Sequence, residues 1–341
     1  MSLAESLQQR WYEDRAPPWW TLPIAALYRV TTSARRAMYR HGWQRSARLP
    51  VPVVVVGNIT TGGAGKTPLV IALVEALRER GFKPGVVSRG HGGSAQAPML
   101  LDIDPDPRVV GDEPALIKQL TRAPVAIGRD RPRAARLLLD ANVDVVIADD
   151  GLQHYALARD VEICVVDGVR RFGNARLLPA GPLREALSRM SEVDFVVCNG
   201  DAPQPGEVGM RLQAEAVMAL HDPSCCRRLD SFAGQRVHAV AGIGHPARFF
   251  AMLREHGIEV VEHAFGDHHV YAAPDLVFSD DLPVLMTEKD MIKCRALPAR
   301  ANAWSVPVRA ALPGSFLEAL SRRIGGGQAF GVPFSPNGDT V

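Results

Sequence analysis

The chain has 341 residues, 47% of them hydrophobic and 22% charged, with 39 lysines and arginines against 37 acids. This is ordinary globular composition with material for two domains, and a net charge of +2 sets up no chain-wide field for nucleic acid. No apolar run reaches the roughly 18 residues that a membrane-spanning helix needs, and no basic-then-apolar export signal is read at the start.

Residues 1–48 differ from the rest. Arg10, Arg15, Arg29, Arg35, Arg36, Arg40, Arg45 and Arg48 face only Glu5, Glu13 and Asp14, eight against three, a local net charge of +5. Two helical pieces, broken by Pro17, Pro18 and Pro23, frame Trp19-Trp20 and the apolar Ile24, Leu27, Tyr28 and Val30. Aromatic and apolar residues flanked by arginines suit a helix lying in the headgroup layer of an anionic membrane. The same face would equally serve to pack on the protein's own body.

The next stretch organises everything after it. Val53 to Val56 reads as a buried strand, Gly57 to Gly65 as a glycine-rich turn, and Leu69 to Arg80 as an amphipathic helix. Strand, glycine-rich loop and Gly65-Lys66-Thr67 at a helix start form the phosphate-loop pattern. Backbone N–H groups of Thr60, Thr61, Gly62, Gly63, Ala64 and Gly65 would close around phosphate oxygens at the positive end of the helix. Lys66 would reach the β- and γ-phosphates, and the Thr67 hydroxyl would ligate Mg²⁺. The strict pattern wants glycine six places before the lysine, where this chain has Thr60.

Pro84 to Val87 reads as a strand running into Ser88-Arg89-Gly90-His91-Gly92-Gly93, a loop suited to approaching a ligand. A strand is expected over Met99 to Ile103. Asp112, in Gly111-Asp112-Glu113-Pro114, fits either a helix N-cap or a catalytic carboxylate. After a strand at Val125 to Ile127, Arg129, Arg131 and Arg133 open a helix, either as a solvated face or as phosphate ligands. Val143 to Asp150 is a hydrophobic strand ending in Asp149-Asp150, an acid pair that is costly unless a cation neutralises it, and Gln153 and His154 follow. Val161 to Val166 and Val193 to Cys198 are further strands, separated by the turn Leu178 to Glu185. The five cysteines (Cys164, Cys198, Cys225, Cys226, Cys294) form no Cys-x-x-Cys pair, which suggests reduced thiols in a cytosolic compartment, with Cys164 and Cys198 in the core.

Composition breaks near Asp201 to Gly209, after which a second α/β unit begins. Its strands are expected at Val237 to Ala241, Ile258 to His263, Val284 to Thr287 and Trp304 to Val308, with a helix over Ala247 to His256. Strands alternating with helices imply a mainly parallel sheet covered by helices on both faces. The expected organisation is an N-terminal basic segment (1–48), a phosphate-loop domain (49–215), a smaller α/β domain (216–325) and a disordered tail (326–341).

The motifs as a set resemble the tetraacyldisaccharide 4'-kinase family of lipid A assembly. The likeness rests on Val56-Gly57-Asn58 with Gly65-Lys66-Thr67-Pro68, Ser88-Arg89-Gly90, Gly111 to Pro114, Gly128 to Arg131, Asp149 to His154, Pro182 to Glu185, Asp267-His268 and Thr287 to Asp290. It implies ATP-dependent phosphorylation of the 4'-hydroxyl of a tetraacylated glucosamine disaccharide 1-phosphate at the cytoplasmic face of the inner membrane. By that resemblance Asp112 is the base, supported by His268, and Asp149, Asp150 and Glu185 organise Mg²⁺. Arg184 lies near the phosphates, and Arg129, Arg131, His154 and His91 fall on the substrate side. His91 departs from the family, which commonly has an aromatic hydroxyl residue there. The competing reading from the residues alone is a membrane-recruited regulatory NTPase that hydrolyses nucleotide to switch a partner.

Overall fold

The computed structural model describes residues 3–13, 15–200, 202–222, 224–267, 269–295, 297 and 302–325. His268 and the tail from 326 lie outside the described residues. Two helices open the chain, α1 (Leu3–Tyr12) and α2 (Thr21–Arg40). The first α/β unit follows as β1 (Val53–Gly57), α3 (Lys66–Glu79), β2 (Pro84–Ser88), β3 (Met99–Leu100), α4 (Pro107–Val110), α5 (Asp112–Thr121), β4 (Val125–Ile127), α6 (Arg131–Leu137), β5 (Val145–Asp149), β6 (Val161–Asp167), β7 (Phe195–Asn199) and β8 (Val208–Gln213). The second comprises β9 (Ala216–Ala219), β10 (Cys226–Arg228), β11 (Arg236–Ala241), α7 (Pro246–Glu255), β12 (Glu259–Ala264), β13 (Val284–Thr287), α8 (Glu288–Cys294) and β14 (Ala303–Val306). The chain then returns to the first sheet with β15 (Arg309–Ala311) and ends in α9 (Gly314–Gly325).

The first sheet has nine strands in the order β15-β8-β7-β6-β1-β5-β2-β4-β3, parallel except for β3 and β15 at its two edges. Every residue of β1 is buried. Its valines alternate between two cores: Val54 and Val56 pack with Leu69, Leu73 and Ile147, while Val53 and Val55 pack with Val146, Ala148 and Leu152. A strand with apolar side chains on both faces has no side for water, which is why it sits mid-sheet under helices. The strand expected over 99–103 shortens to Met99 and Leu100, paired antiparallel with β4, and the Leu101 N–H adds a bond to the Val125 carbonyl at 2.8 Å.

The second sheet runs β10-β9-β14-β13-β11-β12, with β11 to β14 parallel. Helices α5 and α8 join the two units: Ile117 and Leu116 of one and Met291 and Ile292 of the other belong to one continuous apolar cluster. On α9, Phe316, Leu320 and Ile324 recur every fourth residue and are all buried, with the Phe316 ring edge-on to Phe195 at 5.1 Å.

Parallel strands carry their loops to one edge, and here that edge holds the motifs. Val56 pairs with Asp149, and Val87 with Ala148, so the glycine loop after β1, the acids after β5 and Ser88 at the end of β2 come side by side. The carboxyl ends of the second sheet face the same place. A Cβ on Gly244, just after β11, would lie 2.7 Å from the Gly63 nitrogen.

Candidate active site

The glycine loop is built around Asn58 and Lys66. Asn58 Nδ2 donates to Thr60 Oγ1 (3.3 Å) and to the Gly62 carbonyl (3.5 Å), while its Oδ1 accepts from Lys66 Nζ at 3.2 Å. Thr60 forms a bridge with Leu183, the Thr61 N–H donates to the Pro182 carbonyl (2.8 Å) and the Arg184 N–H to the Ile59 carbonyl (2.7 Å). A position in an extended bridge has no need of glycine, which accounts for Thr60. Left-handed backbone falls instead on Gly62 (φ 98°) and Gly65 (φ 94°). Gly65 also has no room for a side chain, because a Cβ there would meet Asn199 Nδ2 at 2.3 Å. That amide donates to the Ala64 carbonyl at 3.0 Å and accepts, at Oδ1, from Arg248 of α7 at 2.8 Å.

The two acids after β5 differ. Asp149 is 1% exposed and accepts from Ser88 Oγ at 3.1 Å, while its second oxygen is buried with no hydrogen-bond partner among the described residues. Burial, with Glu113 and Asp150 nearby, pushes its carboxyl up to about 7. Burial also works to raise Asp150, but Lys66 at 3.4 Å and Arg184 at 3.1 Å outweigh it and hold the carboxyl below the usual range. An orphaned buried carboxylate oxygen beside an ionised acid, with Thr67 on the first turn of α3, suits a hard divalent cation. Among the described residues no three metal-ligating groups converge into a self-contained cage; Mg²⁺ is commonly held by one or two carboxylates together with substrate phosphates.

Glu185 is already engaged: Oε2 accepts from Gln153 Nε2 at 2.9 Å and Oε1 from the Tyr155 hydroxyl, with Arg189 at 3.9 Å. The arginines after β4 divide. Arg129 is exposed, whereas Arg131 is 3% exposed, with two of its nitrogens lacking a partner, and its charge faces Asp149 and Asp150. Asp130 between them caps α6, accepting from the Arg133 N–H at 3.1 Å. Burial, then Arg131 and Arg159, push His154 down to about 4, so at neutral pH it is an uncharged imidazole. His91 is exposed on a loop whose backbone lies against Gly111, where a Cβ would meet the His91 carbonyl at 2.4 Å.

One expectation is corrected by the geometry. Asp112 is not an N-cap: Gly111 holds that place, with φ 93° and no side-chain cap, and Asp112 is the first residue of α5. Asp112 Oδ2 lies 3.8 Å from Lys293 Nζ on α8.

A family model for tetraacyldisaccharide-1-P 4'-kinase matches residues 18–325. The chain belongs to this kinase family. Curated relatives named tetraacyldisaccharide 4'-kinase include one from Stenotrophomonas maltophilia, 52% identical over 325 residues, covering 92% of this chain and 95% of the relative. Another, from Xanthomonas euvesicatoria pv. vesicatoria, is 52% identical over 329 residues, covering 92% and 94%. A crystal structure of LpxK from Aquifex aeolicus in complex with ATP aligns with a TM-score of 0.73 at 27% identity, over 89% of this chain and 98% of that one.

Within this kinase the fold brings Lys66, Thr67, Asp149, Asp150 and Arg184 together around the glycine loop, and sets Arg131 against the same acids. Sequence reasoning assigned no role to Asn58, Ser88, Asn199, Arg248, Lys289 or Lys293. Lys289 stands inside the Thr287 to Asp290 run, the one signal available for it. Asn199 and Arg248 had none, because their meeting depends on how the two units dock.

Proposed function

We propose that this chain transfers the γ-phosphoryl group of ATP to the 4'-hydroxyl of a tetraacylated glucosamine disaccharide 1-phosphate. The observation that carries this reading is the convergence, at one sheet edge, of a phosphate loop, a split acid pair and the first turn of α5, whose Glu113 carboxylate acts on Asp149. The phosphates lie along the N–H groups of Gly62 to Gly65 at the positive end of α3, while the Thr61 N–H stays with the Pro182 carbonyl. Lys66 neutralises the β/γ-phosphates, and Arg184, pinned by Asp150, stands beside them. Thr67, Asp149 and Asp150 hold Mg²⁺, which when bound shields the phosphate charge. Glu185 braces that shell through Gln153, whose Nε2 also donates to the Asn58 carbonyl at 3.1 Å.

A sugar hydroxyl has a pKa far above 7, so its proton needs a placed acceptor as the bond to phosphorus forms. Asp112 takes that proton, with His268 of the second unit as its partner. Arg129, Arg131, His154 and His91 line the approach of the polar part of the lipid. The glycolipid's acyl chains stay in a bilayer, and α2 carries the surface that meets it. Trp19 is 80% exposed, and Leu27 and Val30 are each 64% exposed, between arginines. Its other face is tied to the body by the Tyr28 hydroxyl donating to the Arg184 carbonyl at 3.2 Å and by the Arg36–Glu192 ion pair. No helix among the described residues is long and apolar enough to cross a membrane. On this reading the enzyme works as a peripheral protein at the cytoplasmic face of the inner membrane, with the exposed apolar side chains of the N-terminal segment as its contact.

The test is incubation with ATP, Mg²⁺ and tetraacyldisaccharide 1-phosphate in detergent, followed by mass analysis of the lipid. Gain of one phosphate at the 4' position is expected. ATP hydrolysis that runs at full rate without lipid, with no phosphorylated product, would overturn the reading in favour of a regulatory NTPase.

A further inference from the structure

Helix α8 carries two lysines one turn apart, and both reach from the second unit to acids on the first turn of α5. Lys289 Nζ lies 3.1 Å from Asp267 Oδ1 and 3.4 Å from Glu113 Oε1. Lys293 Nζ lies 3.1 Å from Asp290 Oδ1 and 3.8 Å from Asp112 Oδ2. The side chains are only 15% and 10% exposed. Burial works against the charge on Lys289, but Glu113 and Asp267 outweigh it and hold its pKa above the ordinary lysine value.

The helix that presents these lysines is itself fixed. Thr287 caps it by accepting from the Asp290 N–H at 3.2 Å, and its hydroxyl donates to Asp290 Oδ2 at 2.6 Å. The same carboxylate accepts from the Gly242 N–H at 2.9 Å, so α8 is tied to the loop that abuts the phosphate loop. Glu113 follows Asp112 in the chain, and Asp267 precedes His268. The two acids held by Lys289 are thus the chain neighbours of the proposed base and its proposed histidine.

We propose that Lys289 is a positioning residue for phosphoryl transfer: its ammonium joins Glu113 to Asp267 and thereby holds the first turn of α5 and the loop residues Phe265 to Asp267 in catalytic register. The proposal rests on the reading of Asp112 as the base. Apolar packing through Ile117 and Met291 holds the helices together and seats Phe265 at the start of the loop, and the lysine adds a polar link from Asp267 to Glu113. Without the lysine, two carboxylates would face each other across the junction, and like charges that had been bridged would push the loop away. A displacement of about 1 Å at a reacting group costs on the order of a hundredfold in rate.

The experiment measures kcat, KM for ATP and melting temperature for Lys289→Met and Lys289→Arg, each alone and combined with His268→Ala, beside Asp112→Asn. Lys289→Met is expected to lose on the order of a hundredfold in kcat with KM for ATP within about twofold, and Lys289→Arg to recover most of it. In the His268→Ala background the same Met substitution should cost less than about threefold more, because two residues serving one contact do not add. Where Lys289→Met melts early, Lys289→Gln provides the same comparison. Unchanged kcat for Lys289→Met, or a loss that persists in full without His268, would overturn the proposal. A fully active Asp112→Asn enzyme would instead overturn the reading of the base, whatever Lys289 does.

Discussion

Asp149 and Asp150 are adjacent in sequence but have their pKa values shifted in opposite directions, and the difference comes from what each one meets. Asp149 is sealed under Ser88, while Asp150 turns out through a left-handed backbone (φ 46°) to Lys66 and Arg184. The adjacent acids were legible in the sequence, but their split was not, because burial and the approach of Arg184 depend on the fold. A carboxyl raised from 3.8 to about 7 on folding binds its proton more tightly in the folded state. Its stabilising effect is fully present below pH 4 or so and is lost as pH rises through about 7. Without Mg²⁺, the melting temperature of the wild type should therefore fall between pH 5 and 8 more than that of Asp149→Asn. Because a hard cation needs the ionised carboxylate, Mg²⁺ should bind more tightly as pH rises through the same range and restore the loss. Parallel melting profiles for the two proteins would refute the assignment of the shift to Asp149. Asp112 offers a second test at this scale. As the first residue of α5 it contributes charge to the helix terminus, worth about 0.3–1 kcal/mol, so Asp112→Asn should barely change melting. Its kcat should drop on the order of a hundredfold or more if it accepts the proton. Steady-state kinetics and a melting curve on one preparation separate the two roles.

At the scale of elements, legibility followed periodicity. The valine run of β1, the apolar run into β5 and the helix of the phosphate loop were read with boundaries close to those observed. The strands β9, β10 and β15 were not, since three or four residues of mixed polarity carry no alternation that distinguishes them from loop, and β8 was passed over beside the proline- and glycine-rich break at 201–209 although Val208, Met210 and Leu212 alternate. Nor could composition show that the chain comes back to the first sheet at Arg309 to pair antiparallel with β8. The N-terminal helices had two readings, and both describe part of what is seen. α1 is anchored by the Trp11 indole N–H donating to the Pro179 carbonyl at 3.1 Å, and Tyr39 of α2 packs against Tyr155 with ring centroids 5.8 Å apart. The opposite face of α2 remains open to solvent at Leu27 and Val30. Replacing Trp19, Leu27 and Val30 by serine should weaken co-sedimentation with anionic vesicles on the order of tenfold or more, given roughly 1.5–3 kcal/mol for each large apolar side chain fully buried. KM for the lipid should rise while ATP binding stays as it was, because none of the three touches the glycine loop. Unchanged vesicle binding would remove α2 from the membrane contact.

Across the whole molecule, two sheets point their carboxyl ends at each other and the glycine loop lies between them. The sequence showed both α/β units and the lone Gly242-Ile243-Gly244 after a strand, a signal too common to interpret without a neighbour. The structure supplies that neighbour. Gly244 abuts Gly63, Arg170 Nη1 donates to the Gly244 carbonyl at 3.1 Å, and Arg248 reaches Asn199 beneath the loop. Gly244 is not in the left-handed region, so alanine there carries no backbone strain. What alanine adds is one methyl group 2.7 Å from the Gly63 nitrogen and 3.3 Å from its Cα, too close to tolerate without separating the two units. Because backbone cannot rotate aside as a side chain can, the second unit has to stand off by several tenths of an ångström at the place where the phosphates bind. Gly244→Ala should therefore keep its melting temperature within about 2 °C, since a surface-junction methyl disturbs neither core, yet lose on the order of tenfold in kcat through misplaced reacting groups. Gly209→Ala is the control: its Cβ would lie 3.5 Å from Pro203, an ordinary contact, and its kinetics should match the wild type. If Gly244→Ala turns over as fast as Gly209→Ala, the two units do not come this close when phosphate is transferred, and the junction at Gly63 belongs to the resting enzyme alone.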